Sequence, residues 1–345
     1  MKDSIDFGTT KVSSLFSKLL MPTLLGMVSS ALFVITDGIF VGRGLGSDAL
    51  AAVNIVAPLF LINTGIGLMF GVGASVVASI HLSHGKPKTA RINVTQAVIA
   101  LSMLVAAFSA LIVWRAPGVA CLLGSSERLL VPAVEYIYGA VPFFVFSAML
   151  SAGMFYIRLD ASPRYAMMCN VVPALLNIVL DYLFIFVFHW GVIGAAVATS
   201  LGYIAGAGMV LWYMLMMGRT IRLCRVKTHL RSLRMMRRNV GYMCRLGFPS
   251  LLCEAAIATM MFAGNYVFIA YLGEDGVAAY SIACYVFPII FMVYNAIAQS
   301  AQPILSYNYG ARLTRRVSSA LRMALFTALG SGVMFLLIMY FFASD

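Results

Sequence analysis

Charge is what this sequence has least of. Its 345 residues include 24 basic and 12 acidic side chains, 10% in all, against 62% hydrophobic. A soluble domain of this size needs a far larger polar fraction to clothe its surface, so a water-soluble globular enzyme is excluded. Paired cysteines are lacking too. Cys121, Cys169, Cys224, Cys244, Cys253 and Cys284 are scattered without a CxxC pair, mostly inside apolar runs, and read as small core residues, not disulfides or metal ligands. His81 and His84 have no accompanying ligand set and read as loop residues. The N-terminus carries no short apolar core followed by a small-residue cleavage site, so the first apolar run is a retained span. The short alternating segments of a transmembrane barrel are also absent.

What is present is apolar residues in blocks. Residues 49–80, 92–114, 136–157, 190–218, 276–311 and 323–344 contain no Asp, Glu, Lys or Arg. Three further blocks carry a single acid each: 19–42 with Asp37, 165–188 with Asp181, and 246–273 with Glu254. Each is long enough to cross a hydrocarbon core of ~30 Å as a helix of about 20 residues. The expected fold is an all-α polytopic membrane protein of nine spans.

The placement of the basic residues fixes an orientation. The N-terminal tail and the loops after spans 2, 4, 6 and 8 hold 3, 3, 2, 9 and 4 of them, whereas Arg43, Arg115 and Arg128 alone lie in the other loops. By the positive-inside rule the N-terminus is cytoplasmic. The basic run from Arg219 to Arg245 is then a cytoplasmic linker beside anionic membrane lipid, and nucleic acid is not an expected partner.

The chain also repeats itself. Residues 22–52 lie without gaps on 249–279, with nine identities that include Pro22/Pro249, Gly46/Gly273 and Asp48/Asp275. Six spans separate the copies, so the repeat is parallel, with an axis along the membrane normal. The implied organisation is a first lobe over 1–217 (spans 1–6), a basic linker over 218–240, and an incomplete second lobe over 241–345 (spans 7–9). A second lobe matching the first would extend about 100 residues past Asp345, so three spans are expected to be lacking, in a fragment, a truncated product or a shortened variant.

An ionised carboxylate at the bilayer centre costs at least ~2.5–3.5 kcal/mol. Asp37, Asp181 and Glu254 therefore face a protein-lined or watery cavity, or are held protonated. The repeat does not duplicate them: Asp37 aligns with Gly264, and Glu254 with Met27. Asn177 and Asp181 are four apart on one helical face, and Thr199 follows on the next helix after a turn at His189-Trp190-Gly191. Carboxylate, amide and hydroxyl oxygens together suit a networked proton or a small hard cation such as Na⁺. Alternatively, they only bond one another and fix helix packing. Pro22 removes a backbone hydrogen bond where the first span could bend, or only kinks it. Tyr307-Asn308-Tyr309-Gly310 reads as the end of the eighth span.

The segments ITDGIFVGRGLGSDALAAV (35–53), FYIRLDASPRYAM (155–167), NIVLDYLFIFVFHWGVIGAAVAT (177–199) and QPILSYNYGA (302–311) resemble the multidrug and toxic compound extrusion (MATE) family of bacterial transporters. The resemblance implies twelve helices in two lobes that open alternately to either side. It implies a non-enzymatic antiporter of the bacterial inner membrane, monomeric when complete and without a cofactor, that exports amphipathic organic cations in exchange for H⁺ or Na⁺. Carried onto this sequence, the family's ion-coupling site maps to Asp37, Asn177, Asp181 and Thr199. Glu254 matches an acid used for a second ion or for cationic substrate, and Pro22 lies on the helix that bends. A lipid-linked oligosaccharide flippase of the same superfamily would be expected to line its cleft with basic residues, whereas the membrane-buried charges here read as all acidic. An intramembrane aspartyl protease would need an acid in a Gly-x-Gly-Asp setting within a span, and GLGSD ends at Asp48 in a loop. A non-transporting remnant is the remaining alternative.

The orientation has a direct test. In a cysteine-free background, single cysteines at Leu45 or Ser125 should react with an impermeant thiol reagent outside sealed cells, and one at Thr228 should not. Labelling at 228 would overturn the assignment.

Overall fold

In hydrocarbon, backbone N–H and C=O groups have no water to pair with, and the helix is the element that pairs them within one segment. The computed structural model describes residues 6–226 and 230–342, leaving aside the side chains of 230–233, 261–289 and 342; among these residues it is helical, with no strand. Ten α-helices follow in order: α1 (Val12–Leu45), α2 (Ser47–Ser83), α3 (Pro87–Trp114), α4 (Ala116–Leu122), α5 (Glu127–Ala140), α6 (Phe144–Leu159), α7 (Pro163–Asp181), α8 (Gly191–Trp212), α9 (Leu230–Gly310) and α10 (Thr314–Phe342). Seven stretches among the described residues are long and apolar enough to cross a membrane: α1, α2, α3, α5 with α6, α7 and α8 with their wide terminal turns, and α10.

The boundaries differ from expectation in instructive places. The first helix begins at Val12, before the apolar run, because Lys11 and Lys18 leave their charge on the rim while the helix continues. The fourth span is two helices joined by a tight turn, Val141–Phe143, because Pro142 has no N–H to donate. The expected linker is not a free strand. Its first part is docked: the Asp160 carboxylate accepts hydrogen bonds from the backbone N–H groups of Arg219, Thr220 and Ile221 at 2.7–2.9 Å, and Arg91 donates to the carbonyls of Arg219 and Thr220. From Leu230 the chain is already helical.

Both the seventh and the eighth expected spans fall within α9, which is 81 residues long. It cannot run straight. Gly247 packs against Met69 of α2, and Gly310 packs against Ile80 of the same helix. At 1.5 Å per residue, Met69 and Ile80 are about 17 Å apart, whereas a straight helix would place Gly247 and Gly310 about 95 Å apart. The chain therefore turns back between these two contacts, so α9 supplies two limbs against α2. Much of the second copy of the sequence repeat, and Cys284, lie among the residues whose side chains are outside the description.

α2 is the helix on which the rest assembles, packing on α3, α5, α6 and α9. Its segment Gly65–Ser75 carries glycine on two faces. A Cβ on Gly67 would lie 2.9 Å from the Ala148 carbonyl oxygen, and one on Gly71 would lie 2.9 Å from Ala152 Cα, so these glycines admit α6. Gly65 and Gly73 admit α9, where a Cβ would meet Leu251 and the Met243 backbone. Lipid tails are as apolar as leucine, so helices in a membrane associate through this kind of close approach. Around it, α1 packs on α7, α7 on α8, and α8 on α5 and α6.

Gly73→Leu should consequently cost at least the ~1–3 kcal/mol typical of overpacking and lower the thermal stability of the detergent-purified protein. Gly208→Ala, on α8 with open space around it, should be neutral or stabilising by about 0.5–1 kcal/mol. Equal melting of the two variants would contradict the packing role of α2.

Candidate functional site

Two local devices bring the membrane acids together. The first is the turn between α7 and α8. Trp190 N–H donates to the Phe184 carbonyl at 2.9 Å and its ring stacks on Phe184 at 4.6 Å, while His189 and Gly191 adopt positive φ (53° and 66°) to reverse the chain. Glycine tolerates that backbone without strain, which suits it to open α8. The second device holds the end of α1 beside the end of α7: Phe40 meets Phe186 edge-on at 5.7 Å, and Gly44 leaves room for Ile185. Asp37 is thereby set opposite Asp181.

The carboxyl groups of Asp37 and Asp181 lie within hydrogen-bonding reach of each other. Asp181 is fully buried and Asn177 is 1% exposed. The Asn177 amide is satisfied when its nitrogen donates to Asp181 Oδ2 at 2.6 Å and its oxygen accepts from the Thr199 backbone N–H at 3.1 Å. The amide oxygen is thus already engaged, and Asn177 orients Asp181. The Thr199 side chain is buried, with Tyr136 close to it. One oxygen on each acid, Asp37 Oδ1 and Asp181 Oδ1, is buried without a hydrogen-bond partner among the described residues. Buried acceptors are ordinarily paired, and two adjacent carboxylates repel unless something positive lies between them. Chemically, the pair can share one proton or clasp one small cation.

The structure brings Asp37, Asn177, Asp181 and Thr199 into one cluster and sets the other expected residues apart. Glu254 is 7% exposed on α9, where it packs against Gly65 of α2; no described residue pairs with its carboxyl group. Pro22 lies inside α1, which continues through it as one helix. Tyr136 and Tyr203 stand close enough to the acids to feel their charge. The sequence offered no means of choosing these two among 16 tyrosines.

One sequence expectation is corrected. The buried charges are not all acidic: Arg158 is 2% exposed and donates to Gln299 Oε1 at 2.7 Å. It is one of the two basic residues counted after the fourth apolar run, but α6 continues past it to Leu159. His84 likewise does more than terminate a loop. Its Nε2 lies 3.0 Å from the Gly310 carbonyl oxygen, joining the ends of α2 and α9.

Comparison with known proteins completes the description. The MatE family model matches residues 22–183 and 249–345. The chain is 24% identical over 332 residues to the FAD transporter of Shewanella oneidensis, a match covering 94% of this chain and 71% of that protein. It is 23% identical over 301 residues to the multidrug export protein MepA of Staphylococcus aureus, covering 86% of this chain and 64% of MepA. Among solved structures, a MATE crystallised in complex with MaD5 superimposes with a TM-score of 0.87 at 22% identity, over 99% of this chain and 77% of that one.

Proposed function

Because the chain belongs to the MatE family, whose members are transporters and not enzymes, we propose that it serves as a cation-coupled antiporter exporting amphipathic organic cations. The observation that carries this reading is the Asp37–Asp181 pair with its two unpartnered oxygens. A site that takes up a proton or a Na⁺ must hold it without a fixed counter-cation, and among the described residues no positive group is bonded to either acid. Asn177 and Thr199 hold Asp181 in place, and Tyr136 closes the cluster. Exchange of the ion changes the repulsion between α1 and α7, and Pro22 gives α1 a place to bend in response.

The strongly one-sided distribution of basic residues supports an N-terminus in the cytoplasm and insertion in the bacterial inner membrane. Glu254 supports a cationic cargo, since a buried carboxyl with no partner among the described residues attracts positive charge. A second reading is a phosphate-bearing cargo: the Shewanella relative is named an FAD transporter, and FAD carries phosphate. The flippase alternative would share that chemistry, with Arg158 a buried cation outside the acid cluster.

Asp37→Asn and Asp181→Asn should each abolish drug efflux in cells lacking other pumps while membrane expression persists. The double variant should be no worse than either single, because groups acting as a unit are not additive. Near-normal efflux in both singles would leave the cluster only a packing role. Glu254→Gln should weaken binding of monovalent organic cations more than that of neutral dyes of similar size. Undiminished cation binding alongside uptake of a flavin nucleotide would favour the phosphate-bearing cargo.

A further inference from the structure

The two halves meet in a seam at the N-terminal end of α1, far from the acids. Leu15, Phe16 and Leu19 of α1 pack with Ile297, Ala301 and Ile304 of α9 in a small apolar core separate from the main one. A turn capped by Asp6, whose carboxylate accepts from Gly8 N–H at 2.8 Å and the Thr9 hydroxyl at 2.7 Å, leaves the Phe7 and Thr10 carbonyls pointing at α10. Those hydrogen bonds also hold the Asp6 carboxyl below its ordinary pKa, so the cap is charged at neutral pH. Arg316 of α10 donates to both carbonyls, at 3.1 and 2.5 Å, and to Asn308 Oδ1 at 2.9 Å. Asn308 in turn donates to Phe7 O at 3.1 Å.

The seam is closed without being locked. No ion pair among the described residues crosses it. Arg158, a buried cation there, donates to the neutral amide of Gln299, lies over the Phe155 ring at 5.5 Å and leaves its Nε buried without a partner among the described residues. A buried, uncompensated charge is relieved by water, so Arg158 favours opening while Arg316 favours closure. α1 carries both the seam and Asp37. Eighteen residues, about 27 Å of helix, separate Leu19 from Asp37, and Pro22 lies one turn inside the seam.

We infer that this seam is the gate on the N-terminal side of the transport cleft, that Arg316 and Arg158 are positioning residues setting its balance in opposite senses, and that α1 links it to Asp37. The inference rests on the transport reading above, but its assay needs no cargo. The full chain, with its six cysteines replaced by serine, carries one reporter cysteine. Ala301→Cys lies in the seam, and Ala148→Cys lies within the first half against α2. Maleimide is supplied from the N-terminal side of inverted vesicles.

Arg316→Gln removes a guanidinium that donates three hydrogen bonds. It should speed labelling at position 301 at least about tenfold, the factor expected for losing even one charge-assisted bond, and leave 148 slow. Arg316→Lys should fall between. Arg158→Met should slow labelling at 301. Changing the Na⁺ concentration or the pH should alter labelling at 301, and Asp37→Asn should remove that response. Unchanged or same-direction effects of the two arginine variants would overturn the gate, as would a parallel rise at 148, which reports general loosening. If the gate behaves as stated while Asp37→Asn still exports drug, the coupling reading fails and the seam stands.

Discussion

Backbone-to-backbone approach along α2 is the constraint on which the molecule depends. In a bilayer there is no hydrophobic reward for bringing one apolar helix to another, so shape must supply the association. Gly67 and Gly71 let α6 in on one side, and Gly65, Gly73 and Gly247 let α9 in on the other. Helix α2 thus belongs to both halves. The faces alternate along one short segment, so a residue with a side chain at these positions separates helices that carry everything else, including the turn-back of α9.

Polar groups follow a second rule, that burial requires a partner, and the Asp and Arg groups that break it lie in two places. Most buried polar side chains here are satisfied structurally. Tyr156 donates to the Phe70 carbonyl, and Asp160 accepts from three consecutive backbone amides and from Tyr213. Seven buried side-chain atoms among the described residues lack a partner; those on Asp and Arg are Oδ1 of Asp37, Oδ1 of Asp181 and Nε of Arg158, and the others lie on Asn63, Ser79, His81 and Ser109. Of the Asp and Arg groups, two lie in the acid cluster and the third in the seam. Helix α1 spans the distance between the two places, with its one proline between them.

Much of this was legible in the sequence. Nine runs could be counted because a hydrocarbon core demands long uncharged stretches. Seven described stretches are long and apolar enough to cross, the fourth of them made of two helices, and the seventh and eighth runs lie together in α9. The acids Asp37 and Asp181 could be singled out because charge is expensive in an apolar run, and Asn177 and Thr199 because helical spacing and the intervening turn put them near Asp181. The ends were less legible, since lysine and arginine can sit on a helix rim as readily as in a loop. Arg158, just past the fourth apolar run, lies on α6 for that reason.

The sequence by itself determined the class and its apolar runs, which follow from composition and periodicity that the solvent imposes on each segment separately. Its longer motifs carried the resemblance that grouped Asp37 with Asn177, Asp181 and Thr199. Tertiary structure alone decided that Asn177 uses its amide to orient Asp181, that Glu254 stands apart, that Tyr136 joins the cluster, and that the N-terminal turn meets Arg316. Those facts depend on which faces of distant helices meet. In a membrane that choice is made by the fit of small residues and by scattered hydrogen bonds, neither of which leaves a periodic trace along the chain.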